Sequence, residues 1–254
     1  DFKILNKIKK EDFLKKLNPV YEVIKKTKTK LSSNKKDTIG FVGAPWTLLL
    51  YMLNRKSPKE GNFNVFTKDK NVQDILSKLD QFLKIHIEAQ IKSGASIIQI
   101  FDSWAGLLPE KELNYFVYKP IKSLVDFIRE KKKISICFPR NINNYKKFVD
   151  NVNPDIISID YNVNPSVIRD TISIPIQGGL DPKILLQNKV IVKNESSHKI
   201  NSIAAHPMNP ITENNRKKSN LVSGKIFPIG PITHPRLAVG VVLLTIVFTA
   251  FLFP

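Results

Sequence analysis

Little in this chain of 254 residues offers the usual anchors of chemistry. It has a single cysteine, Cys137, which excludes a disulfide framework and fits a reducing compartment. It has no Walker loop, no GxGxxG and no clustered Cys/His set, so the common sequence warrants for a nucleotide or metal site are missing. The four histidines are scattered: His86 falls within a helical pattern, where packing accounts for it, and His198, His206 and His234 fall in an irregular tail. A Ser-His-Asp triad has no serine elbow to start from. Basic residues are not interleaved with aromatics in the middle of the chain, which argues against a nucleic-acid surface there. No signal-peptide pattern opens the sequence, and the first residue is Asp1 within a charged stretch, so an internal start is expected.

Acidic residues are also scarce. The formal net charge is +18, unevenly spread: residues 1–36 carry 12 lysines against 4 acids, and residues 187–254 carry 8 bases against 2 acids. The middle, with 20 bases and 16 acids, is only mildly basic. A basic field attracts anionic ligands and nucleic acid. Solvated faces in a Lys-, Asn- and Ile-rich composition explain the same charge without any partner.

What is present falls into three segments. Residues 3–36 read as one basic amphipathic helix, with Ile4, Ile8, Phe13, Leu14 and Leu17 near helical spacing and an interruption at Pro19. Its narrow apolar stripe suits an outer-layer helix better than a membrane-surface one. From 38 to 186, apolar β-branched runs at 38–43, 96–102, 133–139, 155–161 and 174–181 alternate with helical patterns. The clearest helix spans Val72 to Lys92, stopped by Gly94. A second spans Lys111 to Lys132 with a break at Pro120, and shorter ones cover 142–149 and 166–170. Runs apolar throughout suit parallel strands buried on both faces, and the alternation predicts βα units. An open doubly wound sheet and part of a (β/α)8 barrel both fit.

Residues 187–236 have many prolines and polar residues and no period, and read as an irregular linker. Leu237 to Phe253 is a run without charge at the lower limit for crossing a membrane, which takes about 17–25 residues. The bases at Arg216 to Lys218 and Arg236 would place that side in the cytoplasm.

Polar groups in the middle segment gather at strand ends, where parallel α/β folds bind ligands. They are Asp102 and Ser103, Arg140, Asp160 and Tyr161, and Gln177 to Asp181. Each also has a plainer explanation; Asp181-Pro182, for instance, is an ordinary helix cap followed by proline at the first helical position.

Three blocks carry a family resemblance: "IGFVGAPWTLLLYM" at 39–52, "IQIFDSWAG" at 98–106 and "IQGGLDP" at 176–182, with the weaker "PDIISIDYNVNP" between the last two. In order and separation they resemble uroporphyrinogen decarboxylase over about residues 3–186. Corrinoid-dependent methyltransferases of the same superfamily use a zinc site of His and Cys, for which this segment has only Cys137. The resemblance implies a (β/α)8 (TIM) barrel, a homodimer, a cytoplasmic setting, and no metal or organic cofactor. It also implies decarboxylation of the four acetate side chains of uroporphyrinogen III to coproporphyrinogen III in haem biosynthesis. Tyr51 and Ser103 match the family's substrate-contacting Tyr and Ser, and Phe101 an apolar wall of the same cleft.

The departures are equally specific. The family's arginine-rich motif and its pyrrole-binding aspartate would lie upstream of Asp1, and a Leu-Gly-His-Gly motif expected after "QGGLDP" is missing. Five strands cannot close an eight-stranded barrel. The expectation is therefore a barrel part over 1–186, a linker over 187–236 and an apolar segment over 237–254, with little or no activity as an isolated chain. The rival reading is a membrane-anchored binding module built on a barrel remnant; a nucleic-acid-associated protein is a weaker third.

Overall fold

The computed structural model describes residues 3–31, 37–54, 71–179 and 181–186. The apolar segment at 237–253 and the linker before it lie outside the described residues.

All five expected strands form: β1 (Ile39–Gly43), β2 (Ile97–Asp102), β3 (Ile134–Pro139), β4 (Ile156–Ile159) and β5 (Ile176–Gly178). They pair in chain order, β1-β2-β3-β4-β5, and every pair is parallel. Helices follow the strands: α3 (Pro45–Asn54) and α4 (Val72–Lys92) after β1, α5 (Glu110–Leu113) and α6 (Lys119–Glu130) after β2, α7 (Tyr145–Val152) after β3, and α8 (Pro165–Thr171) after β4.

Side chains alternate across each strand, so the register divides the sheet into two faces. Val42, Ile98, Ile100, Cys137 and Ile157 point to one face, where they meet Leu49 of α3, Leu83 and Ile87 of α4, Leu124 and Ile128 of α6, and Phe148 of α7 in one continuous core. The other face carries Phe41, Gln99, Phe101, Phe138 and Gln177, all half-buried, above a small cluster of Ile97, Ile136 and Ile156. Strands in sequence order with, among the described residues, helices over one face only make part of a (β/α)8 barrel, since a doubly wound sheet covers both faces.

The N-terminal stretch differs in detail from the single interrupted helix expected. Two helices form, α1 (Lys3–Lys7) and α2 (Lys10–Leu31), and Pro19 sits inside α2 without ending it. Proline removes one N–H and leaves a carbonyl four residues back unbonded. Pro19 and Lys15 are both exposed, so water can satisfy that carbonyl. Pro120 likewise ends nothing: a π turn (Asn114–Tyr118) widens the backbone just ahead of it, and Pro120 enters α6 in its first turn, where its missing N–H does no harm.

Helix α2 packs on α4 through Phe13, Leu17 and Tyr21, which makes it the outer layer the stripe suggested. His86 of α4 is buried there, its Nδ1 3.0 Å from the Tyr21 hydroxyl. Burial holds this imidazole neutral, lowering its pKa to about 4.

Gly94 closes α4 as expected, with φ +114° and the Ala95 N–H bonded to the Gln90 carbonyl. Gln90 itself does something the sequence did not announce. Its buried carboxamide accepts from the Phe41 N–H (3.0 Å) and donates to the Phe41 carbonyl (3.1 Å), so it occupies the outer edge of β1. A Cβ on Gly40 would come within 2.5 Å of Gln90 Oε1, and glycine makes that approach possible.

Candidate active site

The corner at Gly43-Ala44-Pro45 turns β1 into α3. Ala44 accepts the first helical bond, from the Leu48 N–H, and Pro45 takes the first helical position. Gly43 does not adopt a left-handed backbone. Space is the reason for glycine here, because a Cβ would press on Leu48 Cδ2 at 3.0 Å.

One face of α3 is fastened to the end of β2. Thr47 and Tyr51, four residues apart, lie on the same side of the helix. The Thr47 hydroxyl donates to Asp102 Oδ1 at 2.7 Å, and the Tyr51 ring stands edge-on to Trp104, 6.4 Å between centroids. The Trp46 indole N–H reaches the Trp104 carbonyl at 3.0 Å, and the Trp46 ring packs on Phe116. Helix residues four apart thus meet loop residues two apart, and Ser103 lies between them.

Asp102 is wholly buried, and its Oδ2 has no hydrogen-bond partner. Burial raises its pKa to about 7, against the opposing pull of the Thr47 hydroxyl and the Trp104 N–H. By the alternation of β2 it belongs to the helix-covered face and Phe101 before it to the open one, while Ser103 follows in the turn just beyond the strand. The Phe101 ring stands edge-on to Phe41 and Phe138, so three aromatics from adjacent strands line the upper part of the open face. Ser103 and Tyr51 are both half-buried.

The next strand ends form a second polar group. Asp160, buried just beyond β4, accepts through Oδ2 from the Asn141 N–H (2.7 Å) and the Tyr145 hydroxyl (2.8 Å). Its Oδ1 lies 4.0 Å from Nε of the exposed Arg140 side chain. Burial lifts the Tyr145 phenol well above its usual range, and the neighbouring Asp160 charge adds to the effect. Lower on the same face, Gln177 accepts from the Ser158 hydroxyl at 2.9 Å, with the Gln99 amide at 3.4 Å. Asp181 serves as a cap, accepting from the Lys183 N–H at 2.9 Å, and Tyr161 is exposed.

The structure therefore brings Phe101, Ser103 and Tyr51 to the carboxyl end of β2, places Gln177 lower on the sheet beside Ser158 and Gln99, and gives Asp181 a local capping bond. The sequence did not reveal the Thr47–Asp102 and Tyr145–Asp160 bonds. The fourfold spacing of Thr47 and Tyr51 was the available signal for the first; nothing in the sequence announced the second. Among the described residues no group of three or more His, Cys, Asp or Glu is placed to hold a metal ion.

A parallel sheet in chain order, with one face open and its polar side chains at the carboxyl ends of the strands, defines a barrel-type α/β protein. The family profile of uroporphyrinogen decarboxylase (URO-D) matches residues 1–210, and the chain belongs to that family. It is 38% identical over 199 residues to the uroporphyrinogen decarboxylase of Rickettsia bellii, covering 74% of this chain and 57% of that protein. It is 36% identical over 192 residues to the uroporphyrinogen decarboxylase of Rickettsia akari, covering 73% and 56%. The chain thus spans just over half the length of these curated relatives.

Proposed function

We propose that this chain is part of a uroporphyrinogen decarboxylase that converts uroporphyrinogen III to coproporphyrinogen III. In each of four steps the bond between an acetate methylene and its carboxylate breaks and carbon dioxide leaves. The electron pair passes into a pyrrole that has first taken up a proton; a proton added to the methylene then makes a methyl group, and the ring releases the proton it had taken. The protein's tasks are to bind a highly anionic macrocycle, orient one acetate and exclude water.

The observation that carries this reading is the fastening of α3 to the end of β2, which holds Tyr51 against Trp104 beside Ser103. Neutral hydroxyls at such a rim hydrogen-bond a carboxylate without the full charge that would overstabilise the bound substrate. Phe101, between Phe41 and Phe138, supplies an apolar wall for the pyrrole faces of the macrocycle. In this reading Tyr51, Ser103 and Phe101 contact substrate, and the protein works as a homodimer in the cytoplasm without metal or organic cofactor. Residues 1–186 supply the barrel part, 187–236 the connection, and 237–254 a separate apolar segment. Among the described residues no helix is long and apolar enough to cross a membrane.

The arginine motif and the aspartate expected upstream are outside this chain, so the isolated chain should turn over little. Conversion of uroporphyrinogen by a complete gene product that includes these residues tests the proposal. Coproporphyrinogen should form, and Tyr51→Phe should lower kcat/KM at least about tenfold, the order of one lost carboxylate hydrogen bond. No conversion by the complete product would sink the reading.

A further inference from the structure

Arg140 stands out among the charged groups near this rim because it is held firmly and used little. Its backbone is pinned on both sides: its N–H donates to the Asp102 carbonyl at 2.9 Å, and its carbonyl accepts from the Gly106 N–H at 3.0 Å. The second contact depends on glycine, since a Cβ on Gly106 would fall 2.2 Å from the Asn141 carbonyl oxygen. The loop after β2 is therefore seated directly on the end of β3. Asp102 and Pro139 are register partners, so Ser103 and Arg140 leave adjacent strands at the same height. Each is the first residue beyond its strand, next in line after Phe101 and Phe138 of the open face by one intervening residue.

The side chain is half-exposed, with a relative exposure of 46%. Its one ion pair is the long contact between Nε and Asp160 Oδ1, while the other Asp160 oxygen is committed to Asn141 and Tyr145. Among the described residues, neither terminal nitrogen of the guanidinium has a hydrogen-bond partner. A guanidinium steadied at Nε and open at its two ends presents the planar fork that takes a carboxylate in bidentate fashion.

We propose that Arg140 is a further carboxylate-binding residue of this site, gripping one side-chain carboxylate of the porphyrinogen beside Ser103. This rests on the substrate proposed above. Asp160 acts through it as a positioning residue, and Tyr145 and the Asn141 N–H hold Asp160 in turn. Two adjacent strand ends then share the work: a neutral hydroxyl orients one carboxylate, and a charged fork anchors another.

The test is a titration of the complete gene product, which includes the upstream arginine motif and aspartate, with uroporphyrin, which carries eight carboxylates, and with coproporphyrin, which carries four. Binding is read by quenching of tryptophan fluorescence. Arg140→Gln should weaken uroporphyrin binding about tenfold, within the range for a charged hydrogen bond. It should also flatten the salt dependence. Arg140→Lys should fall between, keeping the charge and losing the fork. An unchanged urea midpoint in these variants would separate lost binding from lost folding. If Arg140→Gln fails to fold, Arg140→Lys carries the test, and full affinity in it overturns the fork. Equal affinity of Arg140→Gln and the parent chain overturns the proposal alone. A loss of the same size in Lys122→Gln, on the exposed side of α6, would assign the effect to net charge and also overturn it. A complete parent protein that binds neither porphyrin defeats the substrate reading and this proposal together.

Discussion

The two faces of the sheet are built from the same strands and differ in almost everything else. On one, Val42, Ile98, Ile100, Cys137 and Ile157 have at most 1% exposure and meet helices. On the other, Phe41, Phe101 and Phe138 are half-buried, and the polar side chains Gln99, Ser158 and Gln177 bond one another. The sealed face supplies the burial that holds the chain together. The open face supplies aromatic walls and, at its rim, the hydroxyl and guanidinium groups. Alternation along a strand divides the two duties residue by residue: Gln99 and Phe101 face one way, and Ile100 and Asp102 face the other.

The division can be tested from its strongest side first. Leu83, fully buried on α4 beneath the sheet, should cost about 2–5 kcal/mol when changed to Ala, read from urea unfolding. A loss below about 1 kcal/mol would mean that the sealed face is not the chain's main source of stability. The second test uses the buried acid between the faces. Because burial raises the Asp102 pKa to about 7, the folded chain holds its proton where the unfolded chain, with an ordinary aspartate near 3.8, releases it. Ionisation thus favours unfolding, and stability on this account should fall from about pH 4 to about pH 7 and level off above. Asp102→Asn, which keeps an oxygen for Thr47, should remove that part of the slope. A parent and variant with parallel stability curves over this range would place Asp102 in a wetter setting. The smallest expected effect is on the open face: Phe138→Ala should cost only about 1–2 kcal/mol, since its ring is half-exposed. The same change should weaken uroporphyrin binding severalfold, and a cost equal to that of Leu83→Ala would erase the distinction between the faces.

Much of this arrangement was legible in the sequence, for physical reasons. Apolar β-branched runs such as "SIIQIF" stood out as strands, although among the described residues only one of their faces is sealed, and the Val72 to Lys92 helix declared its stripe and its glycine stop. The choice between an open sheet and a barrel part was not legible from pattern alone. Runs apolar on both sides do not say which face the helices cover, and the resemblance supplied that answer. The prolines misled because their cost depends on surroundings. Exposure rescues Pro19, and a π turn ahead of Pro120 rescues the second. The bonds of the rim were hidden for a different reason. Thr47 and Asp102 are 55 positions apart, and only the seating of α3 on β2 makes them neighbours.

The carboxamide of Gln90 gives the sheet an unequal pair of borders. At Phe41 it stands in for the peptide group of an adjoining strand, giving and taking one hydrogen bond each. For deuterium exchange this turns a border residue into an interior one: the Phe41 amide can trade its proton only when Gln90 lets go, and Gln90 rides on the 21-residue helix that anchors the core. Any strand pairing there, the preceding strand of a complete barrel included, has to take over these two bonds before it can bond Phe41.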